Sequence, residues 1–124
     1  MLADSAAISP ELRARAVAWQ PIGQTRRDTV AAMIPIASRL GVTLLASTDN
    51  VGSVADEVAR FISYGVDPVR ALRAATTDAR AFLHVPGLDD GAPADLVTFD
   101  RDPRDDPSVL KEPAAIILRG HRVR

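Results

Sequence analysis

The sequence predicts an α/β protein that is mainly helical over its first two-thirds and rich in β-strands over its last third. Before residue 85, apolar residues recur at helical intervals in most segments. One short apolar run, Val42–Ala46, interrupts these helices and is bounded by turn residues. After Pro86-Gly87, runs typical of strands replace the helical pattern. We therefore expect two domains, residues 1–85 and 86–124.

Composition excludes several classes of protein. The 124 residues are 47% hydrophobic and 25% charged, which is typical of a globular chain. Fifteen basic residues oppose 16 acidic ones, so the basic excess of a nucleic-acid-binding protein is absent. The sequence has no cysteine, which excludes disulfides and thiolate metal sites. It shows neither a leader pattern at Met1–Asp4 nor a run of about 20 apolar residues, so we expect a cytoplasmic protein without a membrane partner.

Two helices are predicted before the apolar run. A Ser-Pro-Glu start places the first helical residue at Pro10, and Pro21 should end that helix after Trp19. Helical spacing of apolar residues then predicts a second helix up to Leu40. Gly41 provides its C-terminal stop.

The apolar run fits a parallel strand that is covered on both faces. A capping box at Ser53 opens the next helix, which continues to about Tyr64. Asp67-Pro68 begins a further helix that reaches about Phe82.

Strand candidates in the last third are Leu96–Phe99 and Ala114–Leu118, followed by a turn and a short return at Arg122–Arg124. A lone strand and two or three later ones do not make a self-sufficient sheet, because strand edges need partners. We therefore expect this chain to be the end of a larger protein.

Asp49 is the strongest candidate for a functional residue. It lies just past the carboxyl end of the predicted parallel strand, where α/β proteins place functional side chains. The alternative is that Thr48-Asp49-Asn50 is only a turn, since these residue types favour turns. Ser53 already caps the following helix, so Asp49 is not needed there.

Other chemistry-bearing residues give weaker signals. His84 and His121 have no zinc-ligand spacing. The acidic tract from Asp89 to Asp106 fails the EF-hand pattern when the loop is aligned at Asp100, which favours a solvated connector. Arg70, Arg73 and Arg80 form a stripe of the kind found on the recognition helix of a helix-turn-helix protein. Such a stripe is more often the solvent-exposed face of an amphipathic helix.

Four blocks together resemble the C-terminal part of metal-dependent amidohydrolases, most closely the imidazolonepropionase-like branch. The blocks are GVTLLASTD at 41–49, GVDP leading into ALRAAT at 65–76, ADLV at 94–97 and IILRGHRV at 116–123. The resemblance implies a partial (β/α)-barrel, represented by helices and the last barrel strand, followed by short strands of a β-sandwich.

The resemblance also implies a chemistry. Asp49 occupies the position of an aspartate that binds a divalent metal, commonly zinc, and shuttles a proton during hydrolysis of a C–N bond. Ser47 and Thr48 would line the substrate site, and the substrate would be a small amide, a cyclic amide or a dipeptide.

The family's His-x-His motif and its later histidines have no counterpart here. One carboxylate does not hold a catalytic zinc, which takes about three protein ligands. We therefore expect the C-terminal part of an enzyme, inactive and without tightly bound metal when isolated. The alternatives are a non-catalytic, self-associating interaction module derived from a barrel enzyme, and a helix-turn-helix regulator.

Overall fold

The computed structural model describes the backbone of residues 9–124 and the side chains of residues 9–11, 15 and 23–124. Residues 1–8, on which the expectation about a leader pattern rests, lie outside the described residues. The chain divides into two compact units, one ending at Met33 and the other spanning Ile34–Arg124. The expected domain boundary after residue 85 stays a prediction.

Four helices, one 3-10 helix and three short strands follow one another over residues 9–124. In chain order they are α1 (Pro10–Arg39), α2 (Val54–Ser63), α3 (Pro68–Ala75), α4 (Thr77–Phe82), β1 (Leu96–Thr98), the 3-10 helix (Pro107–Lys111), β2 (Ala115–Leu118) and β3 (His121–Arg122). Across residues 9–124, none of the helices combines the length and apolar character that a membrane crossing requires.

The first helix is longer than the sequence predicts. It begins at Pro10 as expected, but it continues through Pro21 to Arg39 as one element, so the predicted end after Trp19 is wrong. Proline removes one backbone donor from a helix and commonly kinks it. Here the alanine, arginine and glutamine residues on both sides favour helix strongly enough for it to continue.

The predicted stop at Gly41 is confirmed. Gly41 has a φ of 83°, the left-handed conformation that glycine adopts without steric cost. Its N–H donates to the Ser38 carbonyl at 3.1 Å, and the Val42 N–H donates to the Ala37 carbonyl at 3.0 Å. This pair of bonds is the Schellman ending, which satisfies carbonyls that the helix leaves open.

The starts of α2 and α3 are as the sequence predicts. The Ser53 hydroxyl accepts from the Asp56 N–H at 3.2 Å, and the Asp56 carboxylate accepts from the Ser53 N–H at 3.0 Å. Asp67 accepts from the Arg70 N–H at 3.1 Å and caps α3. The expected single helix to Phe82 is divided at Thr76, whose hydroxyl donates to a carbonyl of the preceding turn at 2.8 Å.

The three strands form one antiparallel sheet in the order β1-β2-β3. Val97 pairs with Ile116, and Ile117 pairs with Arg122. All strands of residues 9–124 lie after residue 95. A tight turn joins β2 to β3, whereas the longer segment 99–114, which contains the 3-10 helix, joins β1 to β2.

The predicted fold class, a partial (β/α)-barrel followed by strands of a β-sandwich, is therefore wrong. The described residues form four helices and a small open antiparallel sheet instead. Val42–Ala46 is not a strand, and residues 42–48 have no helical or strand structure. A parallel strand exists only with a neighbour that completes its hydrogen-bond ladder, and residues 9–124 supply none for this run.

The core of the second unit lies between α2, α3 and residues 42–48. Its buried members are Val58, Phe61, Val66, Ala71 and Ala74, with half-buried apolar residues such as Leu44 and Ala46 packed against them. The Ala46 N–H donates to the Ala74 carbonyl at 2.9 Å. Leu44 and Ala46 thus pack against the core, but Val42 is 54% exposed, so the prediction that the whole run is covered on both faces is wrong. The run leads directly into the turn at Asp49.

Candidate functional site

Asp49 lies in a tight turn that its own residue type favours. The Thr48 carbonyl accepts from the Val51 N–H at 2.8 Å, and the two residues between them have φ values of 46° (Asp49) and 64° (Asn50). Positive φ at both central positions is typical of a type I′ turn, which Asp and Asn tolerate better than other non-glycine residues. The prediction of a turn at residues 48–50 is confirmed.

The turn does not use the Asp49 carboxylate. Asp49 is exposed, and its side chain makes no hydrogen bond or ion pair with any residue that the structure describes. Ser53 caps α2 together with Asp56, so Asp49 has no capping role, as the sequence predicts. The carboxylate is available to a group from outside this part of the chain.

The two residues expected to line a substrate site precede Asp49 directly. Ser47 is exposed and Thr48 is half-buried. Sequence adjacency alone brings them to Asp49, and no described residue bonds to either hydroxyl.

The backbone before the turn is also sparsely bonded. The N–H and C=O groups of residues 43–45 form no hydrogen bond with other described residues, although Leu44 and Leu45 are half-buried. Backbone groups that are withdrawn from water normally find a partner. This segment therefore has unused capacity for hydrogen bonding.

The described residues do not fit a metal ion. No group of three or more His, Cys, Asp or Glu residues within residues 9–124 has a suitable arrangement. His84 follows the end of α4 with a φ of 55°, and His121 lies in β3. With about three protein ligands needed for zinc, Asp49 would be one ligand of a centre completed elsewhere.

The acidic connector 100–106 is occupied by local ion pairs. A hydrogen bond from Arg104 lowers the pKa of Asp102 to about 2. The pKa of Asp106 is lowered mainly by a hydrogen bond from Ser108, and Arg101 lies 2.5 Å from its carboxylate. These partners leave the connector poorly suited to coordinate a cation, in line with the failed EF-hand pattern.

The arginine stripe is engaged within the chain. Arg70 donates to the Ser38 carbonyl, and Arg73 donates twice to Asp78 at 2.7 and 3.0 Å. Arg80 donates to a backbone carbonyl at 2.6 Å. Each arginine therefore has at least one partner within the chain, and these contacts do not distinguish a recognition helix from the exposed side of an ordinary helix.

A pocket beside the arginines was not predicted from the sequence. It has a volume of about 320 Å³ and lies between the end of α1, the start of residues 42–48, and helices α3 and α4. Arg70, Arg73 and Asp78 line it together with Thr43. The three-residue spacing of Arg70 and Arg73 indicates that they share a helix face, but only the fold shows which groups complete the pocket around them.

Comparisons with known proteins give relatives but no family. Uncharacterized proteins of Mycobacterium bovis and of two strains of Mycobacterium tuberculosis are each 45% identical to this chain over 92 residues, which is 70% of this chain and 25% of each relative. The chain thus spans about a quarter of the length of the curated relatives it matches. No family model and no solved structure matches it.

Proposed function

We propose that this chain is the C-terminal part of a longer metal-dependent hydrolase of the amidohydrolase type. Its substrate is a small amide or cyclic amide, cleaved at a C–N bond other than a peptide bond, and its location is the cytoplasm. The observation that carries the proposal is the exposed carboxylate of Asp49, which no described residue engages. In this proposal Asp49 is one metal ligand, and Ser47 and Thr48 border the substrate.

Two further observations support a site completed by additional polypeptide. The backbone groups of residues 43–45, to which no described residue bonds, have hydrogen-bonding capacity that another segment can use. The mycobacterial relatives have about four times the matched length, which leaves room for the missing ligands. Because the match covers 70% of 124 residues, it includes position 49 wherever it begins.

The relatives offer a first test by sequence alone. The proposal predicts an aspartate aligned with Asp49 in the mycobacterial proteins, and a His-x-His motif after an apolar run in the part that precedes the match. Absence of both features would contradict it.

The decisive test is metal content and hydrolysis. The 124-residue chain is expected to contain no stoichiometric zinc and to hydrolyse no amide or cyclic amide, because its described residues bring no further ligand to Asp49. A full-length relative is expected to contain stoichiometric zinc and to hydrolyse such a substrate. Replacing its residue aligned with Asp49 by Asn should reduce turnover at least about 100-fold, since Asn keeps the turn but removes the charge.

Glycine at the position aligned with Asn50 is the matched control, because it preserves the left-handed turn and leaves the carboxylate in place. Equal losses in both variants would mean that the turn matters and the carboxylate does not. A metal-loaded and active 124-residue chain would contradict the division of ligands proposed here.

A second candidate function is a non-catalytic interaction module. Its support is the number of large apolar side chains left exposed in the second unit, including Val51 at 77%, Leu88 at 74% and Leu83 at 65%. A module of this kind forms a defined oligomer, and its full-length relatives bind no metal. Light scattering during size-exclusion chromatography, together with metal analysis of the same fractions, separates the two functions.

A further inference from the structure

We propose that the 320 Å³ pocket beside α3 binds a phosphate group, either as inorganic phosphate or as the phosphate of a small monoester. The pocket lies wholly within the second unit. The proposal is independent of Asp49 and of the hydrolase function. The volume is near the lower end of the range for small-molecule sites, which is about 300 to 1,000 Å³.

Arg70 forms one wall of the pocket in a fixed position. Its Nη1 donates to the Ser38 carbonyl and to the Ser38 hydroxyl, which lies 3.4 Å away. Ser38 is itself buried near the end of α1, so the guanidinium is anchored to a second element. A guanidinium has five N–H donors, and those on Nε and Nη2 of Arg70 have no acceptor among the described residues.

Arg73 lies next to Arg70, because residues three apart are neighbours on a helix surface. Its Nε and Nη2 both donate to Oδ1 of Asp78, at 3.0 and 2.7 Å. No acceptor for Nη1 lies in the part of the chain that the structure describes. The side chain is 59% exposed, so a ligand reaches it from solvent.

The charge of the pocket suits an anion. Two guanidinium groups and one carboxylate line it, and no other lining residue is charged. Thr43 adds a backbone N–H and a hydroxyl that no described residue engages. Donors from two elements therefore surround a small space of net positive charge.

Phosphate uses this donor set better than a carboxylate does. It presents three or four oxygens in a tetrahedral arrangement and carries more negative charge, whereas a planar carboxylate fills one guanidinium fork. Two adjacent guanidinium groups with N–H donors left over match the larger anion.

The test is a calorimetric titration of the 124-residue chain with inorganic phosphate at low salt. Saturable binding at one site per chain is expected. Arg73→Gln should weaken it about tenfold, because one charge-assisted contact is lost. Asp78→Asn should strengthen it, because the carboxylate that occupies two Arg73 donors loses its charge.

Arg60→Gln is the matched control. Arg60 is an exposed arginine on α2 that pairs with Glu57 at 2.8 Å, and it does not line the pocket. Its replacement removes the same charge, and phosphate affinity should not change. Circular dichroism spectra identical to that of the parent chain will establish that each variant is folded.

Three results would overturn the proposal. They are the absence of saturable phosphate binding, an equal loss of affinity in Arg60→Gln and Arg73→Gln, and acetate binding as tight as phosphate binding. Titration with glycerol phosphate distinguishes the two sources of the phosphate group, which are inorganic phosphate and a small monoester. Tighter binding than inorganic phosphate supports a phosphorylated small molecule, and equal affinity supports inorganic phosphate.

Discussion

Asp56 connects three parts of the second unit through one carboxylate. It accepts hydrogen bonds from the Ser53 N–H at 3.0 Å and the Ser53 hydroxyl at 2.7 Å, which closes the capping box of α2. Lys111 of the 3-10 helix lies 2.6 Å from the other carboxylate oxygen. The hydrogen bond from Lys111 and those from Ser53 lower the pKa of Asp56 to about 2.

Asp56→Asn should lower the melting temperature at neutral pH, with an effect that depends on pH. A carboxylate whose pKa is lowered by folding adds stability above its ordinary pKa of 3.8, and that stability is lost as pH falls through about 2. The melting temperatures of parent and variant should therefore converge between these two values. Thermal unfolding followed by circular dichroism from pH 7 downwards measures this.

Asp90→Asn is the control for this experiment, because Asp90 is exposed and has no bond to any described residue. It should leave the melting temperature unchanged. A difference between Asp56→Asn and the parent that stays constant down to pH 2 would show that the lost charge is not the cause.

At the scale of single elements, α1 offers two glycines in opposite conformations. Gly41 ends the helix with a φ of 83°, and a Cβ added there would meet no atom within 4 Å. Gly23 lies inside the helix, where an added Cβ would lie 3.9 Å from the Arg27 guanidinium, an ordinary contact. An added methyl group makes no close contact at either position, so the difference between the two substitutions reports the backbone conformation and not the packing.

Gly41→Ala should reduce the free energy of unfolding by about 1 kcal/mol, because alanine is strained in the left-handed region. Gly23→Ala should raise it by about 0.5 to 1 kcal/mol, because alanine lowers the entropy cost of helix formation. Urea unfolding of both variants tests these signs. The same sign for both would contradict the account of the helix end.

The division between α3 and α4 shows what periodicity misses. The spacing of apolar residues predicts a single helix from Pro68 to Phe82, but Val69 and Phe82 near its two ends are 47% and 63% exposed. The buried residues are Ala71 and Ala74. The helix is interrupted at Thr76, so the helical phase that relates the two ends is lost.

At the scale of the whole molecule, stability depends on a small core. Within the described residues, Val58 is the largest side chain that is essentially inaccessible, at 1% exposure, and small residues such as Ala71 and Ala74 surround it. Val58→Ala should reduce the free energy of unfolding by about 2 kcal/mol through lost burial and a residual cavity.

Val51→Ala provides the comparison, since Val51 is 77% exposed and the same two methyl groups are removed. It should change the free energy of unfolding by less than about 0.5 kcal/mol. Urea unfolding of each variant measures the change in the free energy of unfolding at both positions. Similar effects at the two positions would mean that this core does not hold the unit together.

The fold class was predicted wrongly at this scale because strands depend on their neighbours. The apolar character of Val42–Ala46 indicates burial for only part of the run, since Leu44 and Ala46 pack against the core and Val42 is 54% exposed. Whether such a run becomes a strand depends on a second strand alongside it, and residues 9–124 place none there. The turn at Asp49 was predicted correctly, because it depends only on the residues that form it, whereas the role of Asp49 as a metal ligand stays a prediction.

By itself, the sequence determined the features whose bonding partners lie within a few residues. The capping box at Ser53, the helix end at Gly41 and the turn at Asp49 are of this kind, because short-range sterics and hydrogen bonds decide them. Only the tertiary structure decided which distant groups meet. The bond from Arg70 to Ser38, the ion pair of Lys111 with Asp56 and the pocket between helices join residues far apart in the chain, and no local pattern records that proximity.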